Sequence, residues 1–340
     1  MKITRYVIIF ALIFLSTYMI FQFKVDKYSS VTQKKAEYNH AVDSALDSAV
    51  EGIVESADGS TVIVDKQECV DNFYNSLYAS FGAMDSETAQ QMLKLYTPVL
   101  AIADVDSMQV YYSDEVNGDV KKVWSQNIPY SRHFVEGDLA SPDGAVGYTV
   151  NFTLNDEITI VIDGDNSTIY KGRYNELQSA YKNNKQTRYS KLLTVLKGDV
   201  LGSEGHFELW RSQVITDTIM SNLSYYVNRH NRIASDFGEQ FTFRLPLAAE
   251  SEVARSISGV SFMCFFQGYP YGAGTSEVYS NFEVSGAHII KSDGYYVQSV
   301  SGYLYYHRPD CSHGSGKKDW YSTKEECAWQ GANPCPYCNP

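Results

Sequence analysis

The feature that most constrains this chain is a pattern of metal-binding residue types close to its end. His307 and Cys311 form one close pair, and Cys335 and Cys338 form a second pair after a short irregular stretch. One imidazole and three thiols in this arrangement are typical of a tetrahedral zinc site. The sequence therefore predicts a module over residues 301–340 held together by Zn²⁺. Because four protein ligands fill every coordination position, the predicted site is structural and not catalytic.

Three other arrangements of the same residues stay open. His313 is an alternative fourth ligand, although it lies only two positions from Cys311. In an oxidising compartment, Cys311 and Cys327 could each form a disulfide with one member of the Cys335/Cys338 pair. The tetrapeptide Cys335-Pro-Tyr-Cys338 is also that of the glutaredoxin active site, where reactivity needs a helix after the first cysteine. Only two residues follow Cys338, so we expect neither that helix nor redox catalysis.

Sequence strings around the ligands extend the pattern: YHRPDC over 306–311, EECA over 325–328 and GANPCPYC over 331–338. Together they resemble the zinc-binding module of the Ada DNA-repair family, and more closely the small His/Cys version found in bacterial exported and nuclease-like proteins. In Ada, the resemblance implies a methyl-accepting cysteine at the position of His307. Zinc-bound imidazole cannot replace a zinc-activated thiolate as the nucleophile, so we expect no methyl-phosphotriester repair.

An uncharged, largely apolar segment over residues 6–23 stands near the beginning of the chain. Its 18 residues are just long enough to span a bilayer as a helix. A cleaved signal peptide is the alternative, but the large side chains of residues 18–23 do not provide the small residues of a cleavage site. We therefore expect a retained signal-anchor after a short cytoplasmic tail over residues 1–5. Basic residues flank both ends, and the short tail favours a single-pass cell-membrane protein with an extracytoplasmic body.

Charge is distributed unevenly along the chain. The net charge is −12, and residues 1–30 carry four basic residues against one acidic residue, which leaves −15 on the remainder. So acidic a body is repelled by phosphate backbones and by anionic lipid. We therefore expect no nucleic-acid partner.

Residues 24–57 are predicted to form an amphipathic helix that leaves the membrane. Within residues 31–56, alanine and valine recur at helical spacing, with acidic residues between them. A narrow stripe of this kind packs closely against a neighbour, in the same chain or in another copy. It is also the predicted contact with other protein subunits.

The body over residues 58–300 is predicted to be a single α+β unit. Helices are expected at 67–81, 87–95 and 204–231, with a short one near 250–256. Because strands and helices cluster and do not alternate, the pattern favours a mainly antiparallel sheet with packed helices over a doubly wound parallel sheet. The predicted strands are 61–64, 99–105, 108–113, 147–154, 157–162, 241–245, 260–266, 277–282, 287–291 and 295–301.

Other candidate sites in the body have weaker patterns. Residues 163–167 (DGDNS) suggest a calcium loop, but the glycine and glutamate expected further along are missing, which favours a hairpin turn. His230 is interpreted as a capping or exposed residue at the end of the long helix. Cys69 and Cys264 are interpreted as buried apolar thiols, with a disulfide as the alternative. The sequence contains no Walker loop, dinucleotide fingerprint, nucleophile elbow or HExxH motif, and we expect no catalytic residues.

The layout of short tail, single anchor, amphipathic helix and exported α+β body resembles that of pilin-like and TadE-like subunits of Gram-positive surface or secretion machines. The glycine and glutamate of a prepilin-peptidase site are missing, so processing and filament polymerisation are not implied. We expect a non-enzymatic, membrane-anchored subunit of such an apparatus. The alternative is an extracellular domain that binds or senses a wall polymer or a small ligand through the aromatic, glycine-rich segment 265–274; core packing with a turn is the other interpretation of that segment.

Overall fold

A computed structural model describes the chain over the following residues: 2–55, 62–116, 119–137, 145–155, 157–164, 168–177, 190–236, 259–272, 277–286, 295–300, 302–308, 311, 313, 319–321 and 324–338. Side chains are described for these residues except 2–13, 54, 55, 116, 168, 190, 191, 193, 320, 325 and 326. Within this part of the chain, the fold is α+β with mainly antiparallel sheets and packed helices. The predicted fold class is confirmed.

Six α-helices and fifteen strands lie in the described part of the chain. The helices are α1 (Lys2–Val50), α2 (Lys66–Ser80), α3 (Glu87–Tyr96), α4 (Ser190–Lys197), α5 (Glu204–Asp236) and α6 (Lys324–Trp329), with a 3-10 turn at Tyr174–Glu176. The strands are β1 (Ile53–Glu55), β2 (Val62–Val64), β3 (Val99–Ala103), β4 (Ser107–Val116), β5 (Asp119–Trp124), β6 (Ile128–Glu136), β7 (Val146–Phe152), β8 (Glu157–Ile162), β9 (Thr168–Arg173), β10 (Ser261–Pro270), β11 (Val278–Gly286), β12 (Tyr295–Val300), β13 (Tyr303–His307), β14 (Asp319–Tyr321) and β15 (Asn333–Pro334).

A nine-stranded sheet forms the centre of the body within the described residues. Its strand order is β11-β10-β3-β4-β6-β7-β8-β9, and β5 pairs with the part of β4 that β6 leaves open. Each of these pairs is antiparallel. The central strand β3 is buried over its whole length, which explains its uniformly apolar sequence VLAIA.

The second half of α1 packs into this body. Its buried side chains recur at helical spacing against α2, β10 and β11: Ala41, Val42, Ala45, Leu46 and Ala49. Small side chains bring the two helices close together, and the Ser76 hydroxyl of α2 donates to the Ser44 carbonyl of α1 across 3.2 Å. The Tyr279 hydroxyl of β11 donates to Asn39 Oδ1 at 2.7 Å. The predicted stripe is therefore confirmed between Ala41 and Ala49, where its neighbour is the same chain, whereas Ala36, at the start of the predicted stripe, is exposed.

The helix predicted over residues 24–57 ends earlier, at Val50. After a turn, Ile53–Glu55 pairs with Val62–Val64, so this segment is a strand and not the last turn of a helix. Gly52 makes the turn possible because it packs directly on α2. A Cβ at Gly52 would lie 2.8 Å from both the backbone nitrogen and the sulfur of Cys69.

The first half of α1 is exposed. Every residue from 14 to 30 is exposed, and the large apolar side chains among them are Phe14, Leu15, Tyr18, Met19, Ile20, Phe21, Phe23, Val25 and Tyr28. Because many are consecutive, they lie on all sides of the helix. Within the described residues, no helix has the length and apolar character needed to cross a membrane. The side chains of residues 6–13, which belong to the predicted span 6–23, lie outside the described residues, and that span stays a prediction.

Most predicted elements of the body are present with boundaries shifted by a few residues, but β5, β6 and β9 were not predicted. Lysines in β5 and a proline, an arginine and a histidine in β6 interrupt the apolar alternation that marks a strand. The hairpin predicted near residues 163–167 is confirmed by the β8–β9 pairing, although residues 165–167 lie outside the description. The predicted elements 241–245, 250–256 and 287–291 also lie outside it.

The first part of the aromatic segment 265–274 is a strand and not a loop. Residues 265–270 belong to β10, and Phe265, Phe266 and Gln267 are buried. The ring of Phe266 stacks on Phe81 at 5.9 Å, so aromatic packing draws the segment into the core. The interpretation as core packing is therefore confirmed for residues 265–270, and the loop interpretation is wrong there; residues 273–274 lie outside the description.

We expect Ala45→Leu in α1 to lower the free energy of unfolding by about 1–3 kcal/mol, because Ala45 is fully buried and the larger side chain overpacks the core. Ala36→Leu, at an exposed position of the same helix, is the matched control and should leave stability nearly unchanged. Urea unfolding of the two purified variants measures this difference. Equal midpoints would contradict the docking of α1.

Candidate metal centre

The terminal module has a sheet and a small core of its own. Strand β12 pairs antiparallel with β13 and β14, and β13 pairs in parallel with β15. Helix α6 ends at a left-handed glycine, Gly331, with φ of 77°. The backbone nitrogens of Ala332 and Gly331 donate to the carbonyls of Cys327 (3.2 Å) and Ala328 (2.8 Å), which is the Schellman pattern. The chain changes direction at Gly331 and continues into β15.

The first ligand pair follows β13. His307 is the last residue of that strand, and it lies opposite Tyr296 of β12. The chain then turns, with the Cys311 nitrogen donating to the Arg308 carbonyl at 3.0 Å. This turn returns the Cys311 sulfur to 3.5 Å from His307 Nδ1.

The second ligand pair follows β15. The Cys335 nitrogen donates to the Tyr306 carbonyl at 3.0 Å, which continues the β13–β15 pairing and holds Cys335 beside the end of β13. Residues 336–338 form a turn. At its end, the Cys338 sulfur accepts a hydrogen bond from the Arg308 nitrogen at 3.4 Å.

The structure brings all four predicted ligands together. The ligand atoms of His307, Cys311, Cys335 and Cys338 lie within 4.8 Å of one another. His307 and Cys335 are buried, and Cys311 and Cys338 are half-buried. A tetrahedral ion with bonds of 2.0–2.3 Å places its ligands about 3.5–3.8 Å apart, so small side-chain movements would close this group around a metal ion. The group could hold a metal ion.

Neither the alternative with His313 as a ligand nor the alternative with two disulfides is present in the described part of the module. His313 lies outside the group of four; its ring stacks on Tyr337 at 3.9 Å, and its Nδ1 is 3.6 Å from the Cys335 sulfur. Cys327 is buried in the small core of the module with Tyr295 and other apolar residues. The described thiols of Cys311, Cys335 and Cys338 are free, so the arrangement with two disulfides is not present.

The thiols influence one another's ionisation. Burial by itself raises the pKa of Cys335, but the backbone N–H groups of Cys338 and Tyr337 donate to its sulfur and bring the pKa below its usual value. Burial, together with the adjacent sulfurs of Cys311 and Cys335, raises the pKa of Cys338 to about 11. Neighbouring thiolates repel each other, and a bound dication would remove that repulsion and release the remaining protons.

Tyr296 supports the group and was not identified from the sequence. Its ring stacks on the imidazole of His307 at 4.8 Å with an angle of 13° between the planes. Its hydroxyl donates to the Cys311 carbonyl at 2.6 Å. Burial and then the nearby Cys311 thiol raise the pKa of Tyr296 to about 12, so the hydroxyl keeps its proton. Tyr296 could have been identified only from the register of the β12–β13 hairpin, which places it opposite His307.

His230 is neither a helix cap nor an exposed residue. Helix α5 continues past it to Asp236, and His230 is buried. Its Nε2–H donates to the Leu95 carbonyl at 2.9 Å, so Nδ1 accepts from the Ser113 hydroxyl at 3.1 Å. Burial, and then the charge of Lys122, lower its pKa to about 3. The histidine is therefore neutral and joins α5 to α3 and β4.

Cys69 and Cys264 are both buried, free thiols, as the sequence interpretation expected. Burial raises the pKa of Cys69 to about 11 and raises the pKa of Cys264 as well. Both thiols therefore stay protonated and act as small apolar side chains.

We expect the neutral state of His230 to make the fold acid-sensitive. Its pKa falls from 6.5 to about 3 on folding, so the unfolded chain binds more protons and stability is lost as the pH falls from about 6.5 towards 3. Between pH 7 and pH 5 this amounts to about 2 kcal/mol. Urea unfolding at both pH values measures the loss, which His230→Asn should abolish and His133→Asn, at an exposed histidine of β6, should keep. The same loss in both variants would contradict the assignment.

We expect the purified full chain to contain one metal ion, and Cys335→Ser or His307→Ala to lose it because each removes one of four ligands. Two controls use residues of the same type in the same module: Cys327→Ser and His313→Ala should keep the ion, since neither belongs to the group. Elemental analysis after dialysis measures the content. Loss of metal from His313→Ala with retention in His307→Ala would reverse the assignment of the nitrogen ligand.

Comparisons with known proteins complete the description of the site. No family model, no curated protein and no solved structure matches this chain. The resemblance of the terminal strings to the Ada module, and of the layout to pilin-like subunits, therefore stays a prediction from the residues themselves.

Proposed function

We propose that this chain is an exported, non-enzymatic, membrane-anchored subunit of a bacterial surface or secretion apparatus of pilus-like layout, with Zn²⁺ holding its terminal module. The observation that carries the proposal is the division of α1. Its first half exposes apolar side chains on all sides, and its second half is part of the core of the body.

The exposed half of α1 needs an apolar environment. Each large apolar side chain gains about 1.5–3 kcal/mol when it leaves water. The seven such side chains from Phe14 to Phe23 therefore represent about 10–20 kcal/mol, comparable to the 5–15 kcal/mol by which a typical domain is stable. A bilayer around residues 6–23 supplies that environment, and Lys24 and Lys27 would then lie at the headgroups.

The continuity of α1 supports a role in assembly and not only in attachment. Because the helix enters the core without interruption, the orientation of the body follows that of the membrane span. The apolar stripe between Ala41 and Ala49 is used inside the chain. A partner subunit would therefore contact the exposed polar face opposite the stripe, on which Glu37, Asp43 and Asp47 lie.

The donor set of the terminal group favours zinc. Three sulfurs and one imidazole nitrogen in a compact group match the ligands of structural Zn²⁺, whereas Mg²⁺ and Ca²⁺ prefer oxygen. Among the described residues, the apolar core of the module is a cluster of four buried side chains, Tyr295, Val297, Cys327 and Ala332. So small a core contributes little stability, and metal binding would supply the rest. His307, Cys311, Cys335 and Cys338 would hold the ion.

We expect a photo-crosslinking amino acid at Lys35 to capture a membrane subunit of the apparatus in intact cells, because Lys35 is exposed just beyond the proposed span. The same amino acid at Lys171, exposed on β9, is the control and should not give that product. Mass spectrometry identifies the captured protein. No membrane protein captured from Lys35, or the same products from both positions, would contradict the role in assembly.

A further inference from the structure

A cavity of about 660 Å³ lies between α2, α3, α5 and the β4–β5 pair, remote in sequence from the terminal module. We propose that this cavity binds a small organic anion with an aromatic or apolar body, and that Lys94 recognises its negative charge. The described lining of the cavity contains no residue of the metal group or of the proposed membrane anchor. The absence of anion binding would therefore leave the proposed function intact.

The size of the cavity suits a small molecule. Pockets that bind small ligands measure about 300–1,000 Å³ and combine apolar walls with a few polar groups. Here the apolar walls are aromatic: Tyr74 and Tyr78 stack with ring centres 5.7 Å apart, and Tyr111 lies beside them in the lining. Aliphatic residues, among them Val120 and Ile233, add to the apolar part. Flat tyrosine faces favour a planar ligand body.

The charge of the lining is opposite to that of the chain. Lys94, Lys121 and Lys122 line the cavity against a single carboxylate, Asp71, while the whole chain has a net charge of −12. His230 in the lining is neutral. A positive cavity in an acidic protein attracts small anions and concentrates them locally.

The three lysines have different surroundings. Lys122 donates to the Pro98 carbonyl at 3.1 Å and also to the Thr97 carbonyl, so it is held by the end of α3. Lys121 lies 3.8 Å from Asp119. Among the described residues, no carboxylate lies within ion-pair distance of Lys94. Its ammonium lies 5.7 Å from the centre of the Tyr74 ring, beside the aromatic wall.

The lysines also repel one another. Burial lowers the pKa of Lys122 to about 7, and the positive charge of Lys94 lowers it as well. An anion bound beside Lys94 would reduce this repulsion, so binding gains from both its own contacts and the relief between the two ammonium groups. A neutral ligand of the same shape would gain neither.

We expect naphthalene-2-sulfonate to bind the full chain in nanodiscs of zwitterionic lipid at one saturable site, measured by isothermal titration calorimetry with empty nanodiscs as blank. Naphthalene-2-sulfonamide, of the same shape but neutral, should bind at least tenfold more weakly. Lys94→Met should weaken sulfonate binding by about tenfold, the usual effect of losing a charged contact, and should leave the sulfonamide unaffected. Lys171→Met, on exposed β9, is the control for charge.

A second variant tests the location independently of charge. Val120 lines the cavity and is 42% exposed, so Val120→Trp should fill the cavity without disturbing the core and should weaken both probes. Circular dichroism checks that each variant is folded. Unchanged sulfonate binding in both Lys94→Met and Val120→Trp would place the probe elsewhere, and the absence of saturable binding at millimolar concentration would show that the cavity does not recognise anions. Either result would overturn the proposal.

Discussion

The packing of α1 into the body is the contact on which the rest of the proposed arrangement depends. Between Ala41 and Ala49, the buried apolar side chains of α1 lie against α2 and the edge of the nine-stranded sheet. This contact turns the first half of the same helix into a rigid extension that exposes apolar residues in all directions. The proposed anchor, the orientation of the body and the polar face open to partners all depend on it. A flexible connection at the same place would attach the body without orienting it.

The four candidate metal ligands belong to the terminal module and not to the core into which α1 packs. The module has its own sheet and its own small core, and in it β13 and β15 place His307 and Cys335 side by side. Backbone hydrogen bonds hold Cys311 to Arg308 and Cys335 to Tyr306, and Tyr296 contacts both the imidazole and the Cys311 carbonyl from the opposite strand. The backbone therefore brings the four side chains together, and a bound ion would cross-link the two turns.

Features that depend only on residues close together in the sequence could be predicted from the spacing of those residues. The ligand set followed from two close pairs of soft residues, and the buried stripe of α1 followed from helical periodicity. What depends on distant partners could not be predicted. The end of α1 at Val50 depends on a strand that pairs with residues 62–64, and the burial of His230 depends on Ser113 and on the last turn of α3. Strands β5 and β6 were missed because their polar residues lie at exposed or half-buried positions of the sheet.

The central claim is that one continuous helix joins a membrane span to a folded body, and bilayer photolabelling tests it most directly. The full chain would be reconstituted with a phospholipid carrying a diazirine in its acyl chain, irradiated and mapped residue by residue by mass spectrometry. The account predicts labels on all sides of α1 within residues 6–23 and none from Ala41 onward. Labels spread over the body, or an unlabelled segment 6–23, would contradict it.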